Sequence, residues 1–519
     1  MWSLVGLSFL VSLVVIFITP WIIKWRYPKC NGALPPGSMG LPFIGETLSL
    51  IIPSYSHDLL PFIKKRVRRY GPIFRTSLAC RSVVISTDPE FNSYIFEQDG
   101  RLVEVWYLDT FSKVFDFEGD SRRNAAGIIH KYISRIFTKH FGAETLKEKL
   151  IAQIEEYVNQ ILRSWSSQAS VEVKHASSAM YLEFTAKHMV GYDVEKSPVN
   201  LAEKYRRFID GLMCIPLNIP GTAHYNCRQG QKAVTTMLRD MLRERRHATS
   251  ETRREDFIGQ ISNDMDKEKF LSEDFVVQLM FAGIFNAESI SPVLALAITL
   301  LTEHPSALQE LTAEHEAILK NRKDPNSSLT WDEYKSMNFT LQVVNETIRL
   351  INSAPGLFRR TVKDITVNGF TIPAGWSLIL ASSALHLNPN IFKEPAEFNP
   401  WRWKDLDSDT ISKNFKAFGG GMRQCSGAEY SKAFLAICLH VLVTKYKYVI
   451  QPNGSEGQRI ENNPKTVSNR RLGQRAQESG WVPRNFKGSK GQKAGCFQPA
   501  PSWLFFFFYN FSITDNIKE

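Results

Sequence analysis

Near the C-terminus, Phe418-Gly419-Gly420-Gly421-Met422-Arg423-Gln424-Cys425-Ser426-Gly427 sets one cysteine in a loop that side chains barely thicken. Three consecutive glycines have no Cβ, so the backbone can pass tightly over a flat partner and turn with φ > 0 where it must. Arg423, two residues before the cysteine, offers a fixed cation to a carboxylate. From about Gly427, the run Ala428 to Ala436 holds good helix formers and no breaker. The first amides of that helix would face the sulfur and favour its thiolate. A loop built this way presents Cys425 as a metal ligand.

The stretch matches F-x-x-G-x-R-x-C-x-G at every fixed position and resembles the haem-binding loop of the cytochrome P-450 family. The resemblance implies that Cys425 is the axial thiolate ligand of haem b iron, with Phe418 and Gly419 in the loop that holds the haem and Arg423 on a propionate. It implies a mainly α fold with small β-sheets towards the N- and C-terminal parts, in a single large domain.

Other segments extend the resemblance. Glu346-Thr347-Ile348-Arg349 is E-x-x-R, and its i,i+3 spacing puts both charges on one helix face. It lies 79 residues before Cys425, with Phe398-Asn399-Pro400-Trp401-Arg402-Trp403 between. In the family such a Glu–Arg pair and a second arginine form a buried network behind the haem loop, here Glu346, Arg349 and Arg402. Multidentate geometry explains the choice of arginine over lysine. By position Arg359 resembles a propionate-binding arginine. His130 or Lys131 stands where the family has W-x-x-x-R, with the tryptophan absent and the arginine shifted by one, to Arg135. His386, in Ala384-Leu385-His386-Leu387-Asn388-Pro389, is expected to be a hydrogen-bonded structural residue.

Residues 273–303 read as one long helix that resembles the family's distal helix. Alignment on His304-Pro305 puts Glu288 and Ser289 on its acid–alcohol pair, which relays protons and holds dioxygen. Serine replaces the usual threonine, and Phe285-Asn286 replaces small residues. Pro292 falls in mid-helix, so a kink is expected there. Short strands are expected over 73–78 and 82–87, with Arg81-Ser82 in the turn, and mostly helix from about 90 to 320.

Residues 2–23 carry no charge and are long enough to cross a bilayer; Lys24, Arg26 and Lys29 follow at once. The expectation is a signal anchor in the endoplasmic reticulum membrane, single-pass, with the body in the cytosol. Residues 24–46 form a basic and proline-rich hinge, 47–452 the catalytic domain and 453–519 an atypical tail. Stretch 215–221, apolar and bounded by prolines, resembles a roof loop beside the substrate entrance.

Seven scattered cysteines without C-x-x-C argue against a disulfide framework or zinc site. Net charge is +11, but residues 451–500 alone hold nine basic against three acidic residues, and no nucleic-acid motif accompanies them. From Gln451 the chain is polar, without the alternating apolar pair of a closing hairpin.

The resemblance implies a haem-thiolate monooxygenase of a plant membrane-anchored clan acting on sterols, brassinosteroid precursors and triterpenoids. No flavin or dinucleotide motif is present, so NADPH electrons would arrive through a separate reductase, with Lys413, Lys416 and Lys432 as docking charges. A reductase-independent isomerase or dehydratase, and a non-catalytic pseudoenzyme with an aberrant C-terminus, are the alternatives.

Overall fold

The computed structural model describes residues 16–20, 22–23, 25–27, 30–42, 44–51, 60–78, 81–106, 128–168, 170–212, 218–247, 256–286, 289–324, 326–351, 356–450 and 458–462. The helices that build the site are, in chain order, α1 (Pro89–Glu97), α2 (Ile128–Phe141), α3 (Ile151–Ser166), α4 (Val173–Val190), α5 (Leu201–Leu212), α6 (Ala223–His247), α7 (Glu273–Asn286), α8 (Ser291–Glu303), α9 (Pro305–Asn321), α10 (Asn338–Ile351) and α11 (Ala428–Lys445).

Helix α11 is the axle of the helical part. Fourteen of the fifteen residues from Tyr430 to Thr444 are buried, all but Lys432. A helix apolar all round is stable only when other helices surround it, and α3, α9 and α10 pack against it. Helices α4, α7 and α8 complete the same core.

Among the described residues, nine short strands accompany the helices. Strands β1 (Ile73–Leu78), β2 (Arg81–Ser86), β3 (Val103–Val105), β4 (Leu357–Thr361) and β7 (Ser377–Leu380) form one sheet in the order β1-β2-β7-β4-β3. Only β2 and β7 are parallel neighbours. Strands β5 (Ile365–Val367) and β6 (Phe370–Ile372) form a hairpin turned by Asn368 and Gly369, both at positive φ. Strands β8 (Tyr446–Ile450) and β9 (Gln458–Asn462) form another.

Three expectations change. Pairing of Leu78 with Arg81 puts the first turn before Arg81, so Arg81 and Ser82 open β2 instead of forming the turn. The expected mid-helix place of Pro292 gives way to the first turn of α8, with residues 287–288 between α7 and α8 outside the described residues. There its missing N–H is one the helix start leaves unpaired anyway, so proline fits the beginning of α8. Thirdly, β9 pairs with β8 inside the polar stretch that showed no hairpin pattern. Backbone hydrogen bonds, which ignore side-chain identity, carry that pairing.

Residues 2–15 of the expected anchor lie outside the described residues, as do 463–519. Ile16, Phe17 and Ile23, just after that gap, are exposed on helix. Among the described residues the Glu273–Glu303 region is also apolar enough to span a bilayer, but most of it is buried in the core.

Candidate active site

Cys425 sits just before α11, in a loop closed by its own N–H donating to the Phe418 carbonyl at 2.9 Å. A short 3₁₀ turn, Gly421–Arg423, lies between them. Gly421 has φ +63°, and a Cβ there would stand 2.3 Å from the Phe96 carbonyl oxygen. Glycine is therefore required twice over, for its dihedral and for the approach to α1.

The Cys425 side chain is exposed although its neighbours crowd it. That crowding raises the thiol above its ordinary range, and the Gly427 N–H works the other way. Among the described residues no group of three or more His, Cys, Asp or Glu could hold a metal. A lone accessible thiol, at a helix start and beside a glycine loop, fits an iron whose remaining ligands would come from a macrocycle. These residues therefore fit haem, with Cys425 as its protein ligand.

Behind the loop lies a buried charge network. Glu346 and Arg349 are both fully buried. Arg349 donates from Nε to Glu346 Oε2 at 2.9 Å and from Nη2 to Oε1 at 2.8 Å. Arg402 Nε reaches Oε1 at 3.1 Å, Trp403 Nε1 reaches Oε2 at 3.0 Å, and the Asn399 N–H reaches Oε1 at 3.0 Å. Five donors on one carboxylate satisfy its lone pairs and make its ionised form stable out of water. The structure thus brings together Glu346, Arg349 and Arg402, the three residues that the family resemblance grouped.

The network is wired to the loop. Arg349 Nη1 donates to the His386 carbonyl at 2.8 Å. The Lys416 N–H donates to His386 Nε2 at 3.1 Å, and the Gly419 N–H to the Lys416 carbonyl at 3.0 Å. His386 is fully buried, and burial followed by the Arg349 charge lowers it to about 3. It is a neutral spacer between the network and Gly419.

Arg359 is buried and grips Asp99 as a fork, Nε to Oδ1 at 2.7 Å and Nη2 to Oδ2 at 3.0 Å. A propionate would therefore share this guanidinium with a resident carboxylate, which no motif signalled. Asp99 follows α1 at a turn into β3, and β3 pairs with the strand that carries Arg359. His130, half-buried, donates Nε2–H to the Met422 carbonyl at 2.7 Å. Burial lowers it, and Arg423 and Asp99 are close enough to push it in opposite directions. Lys131 is exposed on the adjoining face of α2.

On the distal side Glu288 lies outside the described residues. Ser289 is exposed, and its hydroxyl donates to the Asn286 carbonyl at 2.8 Å, which leaves the oxygen free to accept. Phe285 packs edge-on to Phe208, and Tyr205 stacks on Phe281 while donating to its carbonyl. These rings lock α5 onto α7. Of the lysines proposed for docking, Lys413 is exposed and paired with Asp409, while Lys416 and Lys432 are half-buried over Phe96 and Phe418.

Comparison with known proteins agrees with this geometry. The family described as cytochrome P-450 matches residues 35–474. The chain is 50% identical over 450 residues to cucurbitadienol 11-hydroxylase of Siraitia grosvenorii, covering 86% of this chain and 94% of that one. It is 46% identical to a beta-amyrin 16-alpha-hydroxylase of Maesa lanceolata, with 86% and 94% covered. It is 34% identical to a cholesterol 22-hydroxylase of Paris polyphylla, with 84% and 91% covered. The retinoic acid-bound cyanobacterial CYP120A1 shares the fold, with a TM-score of 0.72 over 84% of this chain and 100% of that one at 22% identity. With the thiol loop, the Glu346 network behind it and a match over most of its length, the chain belongs to the cytochrome P-450 family of haem-thiolate monooxygenases, which use O2 and electrons drawn from NADPH.

Proposed function

We propose that this chain inserts one oxygen atom from O2 into a triterpenoid or sterol, as a hydroxylation that can be repeated up to side-chain cleavage. The observation that carries the reading is the 50% identity to a cucurbitadienol hydroxylase across 94% of that enzyme, supported by the beta-amyrin and cholesterol hydroxylases. All three names denote rigid, apolar polycycles.

Haem, when bound, supplies the activation of dioxygen. The chain supplies the rest. Cys425 would bind the iron, and the glycine loop, with Phe418 and Gly419, would hold the ring. Arg423, Arg359 and His130 or Lys131 would hold the propionates. Glu346, Arg349 and Arg402 keep the loop in place through His386 and Lys416. Glu288 relays protons inward, and Ser289 Oγ accepts one hydrogen bond on the distal side.

Electrons come from a separate NADPH–cytochrome P-450 reductase that docks by Lys413, Lys416 and Lys432. Residues 2–23 anchor the enzyme in the endoplasmic reticulum membrane with its body in the cytosol, which suits a substrate that partitions into lipid.

The test is co-expression with a plant reductase, feeding of cucurbitadienol, beta-amyrin and cholesterol separately, and mass spectrometry of the products. A product 16 mass units above one of these substrates, dependent on NADPH, is expected. Turnover that needs no NADPH, or no turnover of any of them beside a normal thiolate-type carbon-monoxide spectrum, overturns the reading.

A further inference from the structure

One face of α2 grips the loop that carries Cys425. His130 and Ser134 are four residues apart, so they share that face and stand about 6 Å apart along the axis. His130 holds the Met422 carbonyl at 2.7 Å, and the Ser134 and Ser426 hydroxyls meet at 3.0 Å. Met422 and Ser426 lie on either side of Cys425. Arg135, the next residue round the helix, is exposed and sits over the Tyr132 ring at 5.6 Å. The helix therefore offers the loop an imidazole and a hydroxyl, and turns its guanidinium away.

We infer that Ser134 is a positioning residue for the axial cysteine, acting through Ser426; the inference rests on Cys425 as the iron ligand. Ser426 follows Cys425 directly. The Cys425 N–H is tied to Phe418, and its carbonyl accepts from Ala428 at 3.3 Å. Those bonds fix the backbone before and after the sulfur, but neither ties the loop to another element of the fold. The Ser134–Ser426 bond does so, at the residue next to the ligand. Removing it lets the loop shift against α2, and a sulfur that drifts from iron would be protonated and displaced more readily.

The experiment uses the full-length holoenzyme with Ser134→Ala, Ser426→Ala, both together, and Ser134→Thr. Two quantities are read: transfer of haem to apomyoglobin, and the share of the reduced carbon-monoxide complex in the thiolate form. Losing one half-buried hydrogen bond should speed haem transfer about fivefold and move part of the carbon-monoxide band to the thiol form. The double variant should be no worse than either single one, because both remove the same bond, and Ser134→Thr should restore both readouts. Ser134→Ala with an unchanged transfer rate and spectrum, or single effects that multiply in the double variant, overturns the inference. Cys425→Ala separates the two claims: if it retains the thiolate band, the ligand assignment has failed, not the clasp.

Discussion

Replacing Glu346 with alanine tests the central network most directly. In the native protein its two oxygens receive five donors, three from two guanidinium groups. Alanine leaves Arg349 fully buried and Arg402 nearly so, each charged and without a counter-ion. Arg349 keeps the carbonyls of His386, Pro395 and Glu397, and Arg402 those of Lys393, Glu394 and Glu397. Dipoles offset part of the loss, so the expected cost is about 3–5 kcal/mol, the range for breaking a buried pair from one side. Against a total stability of about 5–15 kcal/mol, that is a large share. Glutamine should not rescue. Placing its oxygen at the Oε1 site leaves Arg349 Nε and Trp403 Nε1 facing an NH2 group; flipping it strands three donors instead. Leucine at 346 combined with methionine at 402 should recover at least about 1 kcal/mol relative to leucine alone, since one stranded charge is gone. Urea unfolding followed by far-ultraviolet circular dichroism, together with haem content per polypeptide, measures both stability and loop integrity. A Glu346→Gln protein within about 1 kcal/mol of wild type and with full haem would refute the view that ionised Glu346 organises the site.

Gly421→Ala should abolish stable haem incorporation, because the new methyl would meet the Phe96 carbonyl at 2.3 Å from a residue already at φ +63°; a normal carbon-monoxide spectrum would contradict it. Pro292→Ala should change the unfolding free energy by less than about 1 kcal/mol, since a first-turn proline costs the helix no hydrogen bond; a loss of several kcal/mol would mean that α8 depends on the ring. The buried histidines predict acid sensitivity. His386 and His315 are lowered by burial to about 3 and about 4, while the unfolded side chains titrate near 6.5. The folded state is then the one that binds fewer protons between these limits, so stability is full above pH 6.5 and falls as pH drops towards 4. Each histidine should cost about 1.4 kcal/mol per pH unit in that window, and a urea midpoint that does not move between pH 7 and 5 would count against it.

Much of the site was legible in the chain because its parts are local. A thiol loop, an E-x-x-R turn of helix and a tryptophan–arginine stretch each need only neighbours within ten residues, and their chemistry follows from residue type. The mainly helical fold was legible for the same reason, since periodicity is a local property. Partners that lie far apart in the chain were not. Arg359 and Asp99 are 260 residues apart, and Ser134 and Ser426 are 292 apart. No spacing rule links such positions. The β8–β9 pair was also hidden, because backbone pairing leaves no mark on a polar strand.

The amino-acid order alone therefore marked one cysteine as the candidate iron ligand and, through the family resemblance, a carboxylate with two arginines behind it. Only the folded chain decided what holds them: a histidine between network and loop, a carboxylate already on Arg359, and a helix face that clasps the cysteine on both sides. The reason is that residue type determines what a group can bind, while the packing of distant segments determines which group it meets.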